Sequence, residues 1–231
     1  MSSPRYHTVV LLALLLALLL ALVCACDATD PRPPVVDDEI LPLAVGNYWD
    51  VRLVYLQNEN LVDSFRVQIV NTFPLPAAGK TEHAFVWARG RDERETKWLM
   101  QNREDGLHLV GGVNEQDTLL LTENTLHLRY PAEVGARWTA YRLSYDWDEG
   151  SFSSMPLDYE LLSTTARYQT QAGEFICYQY HYRFRPADDV AAIWDVYTYY
   201  APGIGMVAEV IESRGQVKQT TELLSYQVQA E

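Results

Sequence analysis

Asp146-Trp147-Asp148-Glu149-Gly150 has the D-x-D-x-G opening of a calcium loop. The ligand such a loop needs six residues past its glycine is absent, because Pro156 stands there, so the run reads as a polar hairpin turn. His83, His108, His127 and His181 are scattered singly, and no H-E-x-x-H or H-x-H spacing aims two imidazoles at one metal. There is no G-x-S-x-G elbow, no S-x-x-K and no phosphate-binding glycine loop, and Gly111-Gly112 reads as a strand end. Among 31 acidic residues some pair could always sit at glycosidase spacing, but no pattern singles one out. The chain therefore gives no catalytic residue, no cofactor site and no metal site.

Cys26 is the residue with a defined chemical expectation. Met1–His7 carries one arginine, Thr8–Val23 is an apolar stretch, and Val23-Cys24-Ala25-Cys26 closes it. That order is a secretory signal. Its exit resembles the bacterial lipobox, in which a small residue precedes a cysteine that is lipidated and becomes the first residue of the mature chain. Cys26 follows Ala25 and fits; Cys24 follows Val23 and fits poorly. Residues 1–25 are thus expected to be a lipoprotein signal peptide, with a membrane partnership through lipid on Cys26, facing the periplasm or the exterior. Two readings compete: an uncleaved anchor, since Val9–Ala25 is at the short limit for a span, and an ordinary signal cut near Ala25. Asp27 either resembles an inner-membrane retention signal or simply begins an acidic tether.

Loss of residues 1–25 removes Arg5 and no acid, leaving 17 basic against 31 acidic residues. A surface this acidic repels phosphate backbones, so no nucleic-acid partner is expected, nor polybasic docking on anionic lipid. Cys24 would leave with the signal and Cys26 would carry lipid. Cys177 then has no partner for an intramolecular disulfide and reads as a small core residue.

The elements follow from period-two alternation. Residues 26–39, with Pro31, Pro33, Pro34 and several aspartates, read as a semi-rigid tether. Residues 40–231 read as one β-rich globular domain. Strands are expected over Tyr48–Gln57, around Phe65–Ile69, then Ala84–Ala88, Thr96–Asn102, Gly106–Gly111 and Thr125–Tyr130, with a break at Phe73–Gly79. Trp138–Trp147, Leu157–Thr170, Phe175–Arg185, Ile193–Ala201, Gly205–Ser213 and Lys218–Val228 follow. In Phe175–Arg185, Ile176, Tyr178, Tyr180, Tyr182 and Phe184 share the buried face, and Gln179, His181 and Arg183 the solvated one. Glu209 and Glu212 are expected in solvent, and Asp188–Ile193 could form one helical turn. The fold class is all-β: an antiparallel meander forming a barrel or sandwich.

Two halves are suggested by an internal echo. Pro42, Val45, Gly46 and Trp49 share the spacing P-x-x-V-G-x-x-W with Pro131, Val134, Gly135 and Trp138. Glycine permits positive φ in the turn, and the tryptophan three residues on is placed to plug the core.

Three segments also resemble uncharacterised bacterial secreted proteins and lipoproteins of one β-domain type. They are the "LPLAVGNYW" opening with its P-L-x-x-G-x-x-W pattern, the Gln171-Ala172-Gly173-Glu174-Phe175 turn, and Tyr200-Ala201-Pro202-Gly203-Ile204-Gly205-Met206-Val207, a Y-A-P-G-x-G-x-V hairpin. The resemblance spans most of Leu41–Tyr226 and brings no catalytic residue with it. Two functions remain: a non-catalytic envelope module that binds a lipid, glycan or protein partner, or a secreted hydrolase built on dispersed carboxylates. An apolar concavity lined by Tyr and Trp would favour the first; clustered buried carboxylates would favour the second.

Overall fold

The computed structural model describes residues 39–56, 61–75, 82–91, 94–114, 117–123, 125–185 and 191–229. The signal, most of the tether, Cys26 and the first half of the Asp188–Ile193 turn lie outside these residues.

The described chain is all-β. Its first half holds β1 (Tyr48–Tyr55), β2 (Leu61–Leu75), β3 (Glu82–Arg91), β4 (Arg94–Arg103), β5 (Gly106–Val113), β6 (Thr118–Leu120) and β7 (Leu126–Arg129). The second half holds β8 (Arg137–Asp146), β9 (Ser151–Thr170), β10 (Gly173–Phe184), β11 (Trp194–Ala201), β12 (Gly205–Ser213) and β13 (Gln216–Gln227). Every pairing is antiparallel, and the sheet runs β6-β5-β4-β3-β2-β1-β13-β12-β11-β10-β9-β8, with β7 on β5. Two meanders are thus sewn together where β1 meets β13.

The two edges of this sheet come together through side chains. The Trp138 indole N–H on β8 donates to the His127 carbonyl on β7, and the Tyr180 hydroxyl donates to the Arg129 carbonyl. Higher up, the Phe152 amide donates to Asp117 and the Phe152 ring packs on Trp98 with centroids 5.9 Å apart. The sheet is therefore a barrel closed by side chains, and the inward residues of both meanders share one core.

One end of the barrel is plugged. Ile40, Leu41 and Leu43 precede β1 and are 1%, 5% and 2% exposed. Three hydrogen bonds hold the plug: Gly203 N–H to the Glu39 carbonyl, Asn102 Nδ2 to the Leu41 carbonyl, and Asn47 Nδ2 to the Pro42 carbonyl. Gly205 sits against it, where a Cβ would lie 2.5 Å from Leu41 Cδ1.

Four local expectations are corrected. β2 continues through Phe73 and Pro74 to Leu75, because past Gln68 it has only β3 as a neighbour, so the donor proline lacks is not missed. Gly111 and Gly112 lie inside β5: Leu119 O and the Phe152 ring approach so closely that a Cβ on either would collide. β10 switches its buried face, with Phe175 and Cys177 buried and Ile176 57% exposed, while Tyr180 and Tyr182 are buried further on. Register shifts against β9 between Cys177 and Tyr180 accompany the switch, as bulges bend and twist a pair. The fourth correction is Glu209, which turns inward.

Candidate ligand-binding lumen

Above the plug the barrel encloses a cavity of about 240 Å³. Its walls divide along the same seam as the chain. The first meander contributes Phe65 and Val67 from β2, Trp98 and Met100 from β4, and Leu109 from β5, with Leu41 of the plug beneath. The strands β9–β13 contribute Tyr159, Tyr182, Tyr200, Glu209, Gln219 and Thr221, with Met206 as the apolar exception. Arg142 and Leu143 from β8 and His127 from β7 complete the lining.

Register explains why Glu209 belongs here. Its direct ladder partners are Thr198 on β11 and Thr221 on β13, both inward and 6% and 5% exposed. A register shift between Tyr199 and Tyr200, opposite Met206–Ala208, lets Met206 and Glu209 both line the lumen although they are three residues apart. Glu209 shares its parity with Val207 and Ile211, 1% and 6% exposed, so its charge and not its place in the strand is what suggests solvent.

The electrostatics of the polar wall follow from burial. Desolvation pushes the phenols of Tyr159, Tyr182 and Tyr200 above the ordinary tyrosine range, and the nearby Glu209 charge pushes each further in that direction. Arg142 acts the opposite way on Tyr159 and Tyr182. All three hydroxyls therefore stay protonated and able to donate and accept hydrogen bonds. Burial pushes the His127 imidazole down to about 4, so it is neutral at physiological pH. Its Nδ1 is buried and has no hydrogen-bond partner among the described residues, as is true of Thr198 Oγ1. The Arg142 guanidinium lies 4.5 Å from the centre of the Phe184 ring, on the side of the cavity away from the plug.

Several exposed apolar side chains lie at the far end of the barrel, while others, such as Val45, Val134 and Ile176, lie in the turns before β1 and β8 and on the outer face. Leu61 and Val62 open β2, Leu56 follows β1, Val217 opens β13 and Ile193 precedes β11; they are 37% to 57% exposed. These positions are neighbours in the ladder, since Tyr55 pairs with Leu61 and Gln219, and the Leu56 amide donates to the Lys218 carbonyl. The mouth of the lumen is thus edged by apolar residues, whereas the outer sheet face carries cross-strand ion pairs such as Arg66–Asp50, Arg137–Glu160 and Arg183–Asp195.

The other sequence candidates occupy structural places. Asp146 Oδ1 accepts the Asp148 and Glu149 amides and so builds the β8–β9 turn, with no third acidic or histidine ligand converging on it. No group of three metal-binding side chains occurs among the described residues. His181 lies on the outer face, 2.9 Å from Asp195 and stacked on Tyr197. Cys177 is fully buried, and desolvation pushes its thiol up to about 12, which suits a packing residue and not a nucleophile. Trp49 and Trp138 are 4% and 9% exposed and each donates its indole N–H to a backbone carbonyl, that of Ile204 and His127.

Sequence reading missed the lumen. The inward tyrosines were visible as a buried face, but a tyrosine facing a cavity and one packed in a solid core have the same alternation. No family model matches the chain, and no curated protein matches it. Two solved structures are similar in their course through space. One is a "putative lipoprotein" from Parabacteroides distasonis, at 14% identity and a TM-score of 0.44, covering 82% of this chain and 99% of that one. The other is a "putative exported protein with YmcC-like fold" from Bacteroides fragilis, at 15% identity and a TM-score of 0.41, covering 81% and 98%.

Proposed function

We propose that the chain is a bacterial envelope lipoprotein, anchored through lipid on Cys26, whose barrel is a non-catalytic module holding a small amphiphilic ligand of lipid type. The observation that carries this reading is the two-walled lumen, apolar on the first meander and hydroxyl-rich on the second. Solid cores do not leave about 240 Å³ beside three tyrosines, an arginine and a glutamate.

Support for a non-catalytic role comes from the carboxylates. Glycoside hydrolysis uses two, and among the described residues Glu209 is the one carboxylate in the lining. Three acids outside the lumen are held below the ordinary carboxylate range. The Arg66 hydrogen bond holds Asp50 down and the His108 hydrogen bond holds Asp105 down. At Asp195 burial pushes upward, and the Arg183 and His181 hydrogen bonds outweigh it.

Mass spectrometry of the full chain extracted from bacterial membranes tests both parts. Acylated Cys26 at the N-terminus and a non-covalent lipid-type molecule released on denaturation are the expected results. An unmodified Cys26 would overturn the anchor. A preparation that carries no such molecule and takes none up from added membrane lipid would overturn the binding reading.

A further inference from the structure

Next to the lumen lies a smaller recess of about 20 Å³, walled by Leu41, Trp49, Val51, Val67, Tyr200 and Met206. Leu41, Val67, Tyr200 and Met206 line the lumen as well, so they form a collar between the two spaces. Register orders them along the barrel. Val67 pairs with Trp49 near the start of β1, and Met206 with Tyr200, whereas Glu209 pairs with Thr221, itself opposite Leu53 nearer the mouth. The collar is therefore the end of the lumen that faces the plug.

Leu41 belongs to the plug and not to the barrel wall, and it is held in place. Its carbonyl accepts a hydrogen bond from Asn102, and the neighbouring Glu39 carbonyl accepts one from the Gly203 amide. A Cβ on Gly205 would lie 2.5 Å from Leu41 Cδ1 and 3.3 Å from Trp49 Nε1, so the leucine side chain is wedged between β12 and the indole. A methylene chain entering from the mouth meets an apolar stop there, broken only by Tyr200. Its methyl end needs no hydrogen bond at that depth, and its polar end stays beside Tyr159, Tyr182 and Arg142.

Volume sets the length. An engineered cavity of about 150 Å³ takes the six carbons of benzene, and a water-sized group fills about 30 Å³, so about 240 Å³ takes roughly eight to ten carbons. We infer that the lumen measures chain length: it takes one unbranched hydrocarbon chain of about eight to ten carbons, methyl end toward the plug, with Leu41 as the stop. This rests on the binding reading above and names the chain class and the residue that sets it.

Straight-chain 1-alkanols from hexanol to dodecanol, each competing with the fluorescent reporter N-phenyl-1-naphthylamine for the full-length protein, test it. Affinity is expected to rise roughly fourfold per carbon while added carbons are buried, and to level off after about eight to ten. Leu41→Ala cuts the stop back to its Cβ and joins the recess to the lumen, which should move that break up by about two carbons or more. Met206→Ala opens the collar from β12 and should move the break the same way, whether or not the Leu41 variant folds. Leu43→Ala, in the same plug and 2% exposed but in neither lining, should lower the melting temperature and leave the break in place. Wild-type affinity that keeps rising to dodecanol, a break unmoved in every folded collar variant, or one moved as far by Leu43→Ala would overturn the stop and leave the lumen as a binding site. Failure of the reporter and of every alkanol to bind the wild type would instead overturn the binding reading itself.

Discussion

Gly46 and Gly135 occupy the same place in two turns 89 residues apart. Each has positive φ, +100° and +87°, and each donates its amide to a carbonyl on the second strand of the hairpin it opens, Ile69 for Gly46 and Leu161 for Gly135. The reciprocal bonds repeat too: the Ile69 amide donates to Asn47, and the Leu161 amide to Ala136. The P-x-x-V-G-x-x-W echo is thus a repeated turn that starts each meander.

That repeat makes glycine replacement graded. Alanine at Gly46 or Gly135 meets no atom closer than 3.9 Å, so each variant should lose only the left-handed backbone penalty, about 1–2 kcal/mol. Gly205→Ala adds a collision with Leu41 Cδ1 of the plug at 2.5 Å and a tight contact with Trp49 Nε1 of β1 at 3.3 Å. Urea unfolding should rank Gly205→Ala clearly below the other two; equal losses at all three positions would contradict the plug's tight packing.

Trp49 and Trp138 should behave alike. Truncation of either to Ala empties a buried site, with an expected cost of about 3–5 kcal/mol. Replacement by Phe keeps most of the volume and loses the hydrogen bond to Ile204 or His127, at about 1 kcal/mol. Thermal melts read both. A Trp→Ala variant that melts with the wild type would show that its indole is not a core plug.

His127 should make stability depend on pH above the range in which the ion-paired carboxylates titrate. Its folded pKa is lowered to about 4 against an ordinary 6.5, so the unfolded chain binds the extra proton in that interval. The stabilisation from the neutral imidazole is complete above pH 6.5 and is lost as pH falls toward 4. Between pH 7.5 and 5 the wild type should lose up to about 2 kcal/mol more than His127→Gln. Parallel pH profiles from urea titrations of the two proteins would contradict the buried, neutral state.

Much of the fold was legible because strands buried on one face announce themselves by alternation. Tyr48–Tyr55 and Gly205–Ser213 are examples, and the glycine turns before Trp49 and Trp138 were readable from residue type alone. What alternation could not carry was every place where the period slips. Bulges beside Cys177 put Ile176 outside, against the parity of Tyr180 and Tyr182, whereas Glu209 follows the parity of Val207 and Ile211 and was misplaced on its charge alone. β6 is only Thr118–Leu120, too short for a period, and Pro74 sits in a strand because its neighbour on one side ends first. The lumen was hidden for a related reason. Phe65, Leu109, Tyr182 and Glu209 are brought together by barrel closure between strands far apart in the chain, a relation no local spacing records.

Reporter binding to lumen-filled variants tests the central claim most directly. N-phenyl-1-naphthylamine should bind the full-length protein saturably. Met206→Trp and Leu109→Trp, which push an indole into the cavity from opposite walls, should each weaken binding at least tenfold while melts confirm a folded barrel. Ile176→Trp, on the exposed outer side of β10, should bind as the wild type does. A wild type that does not saturate, or lumen variants indistinguishable from Ile176→Trp, would contradict the account.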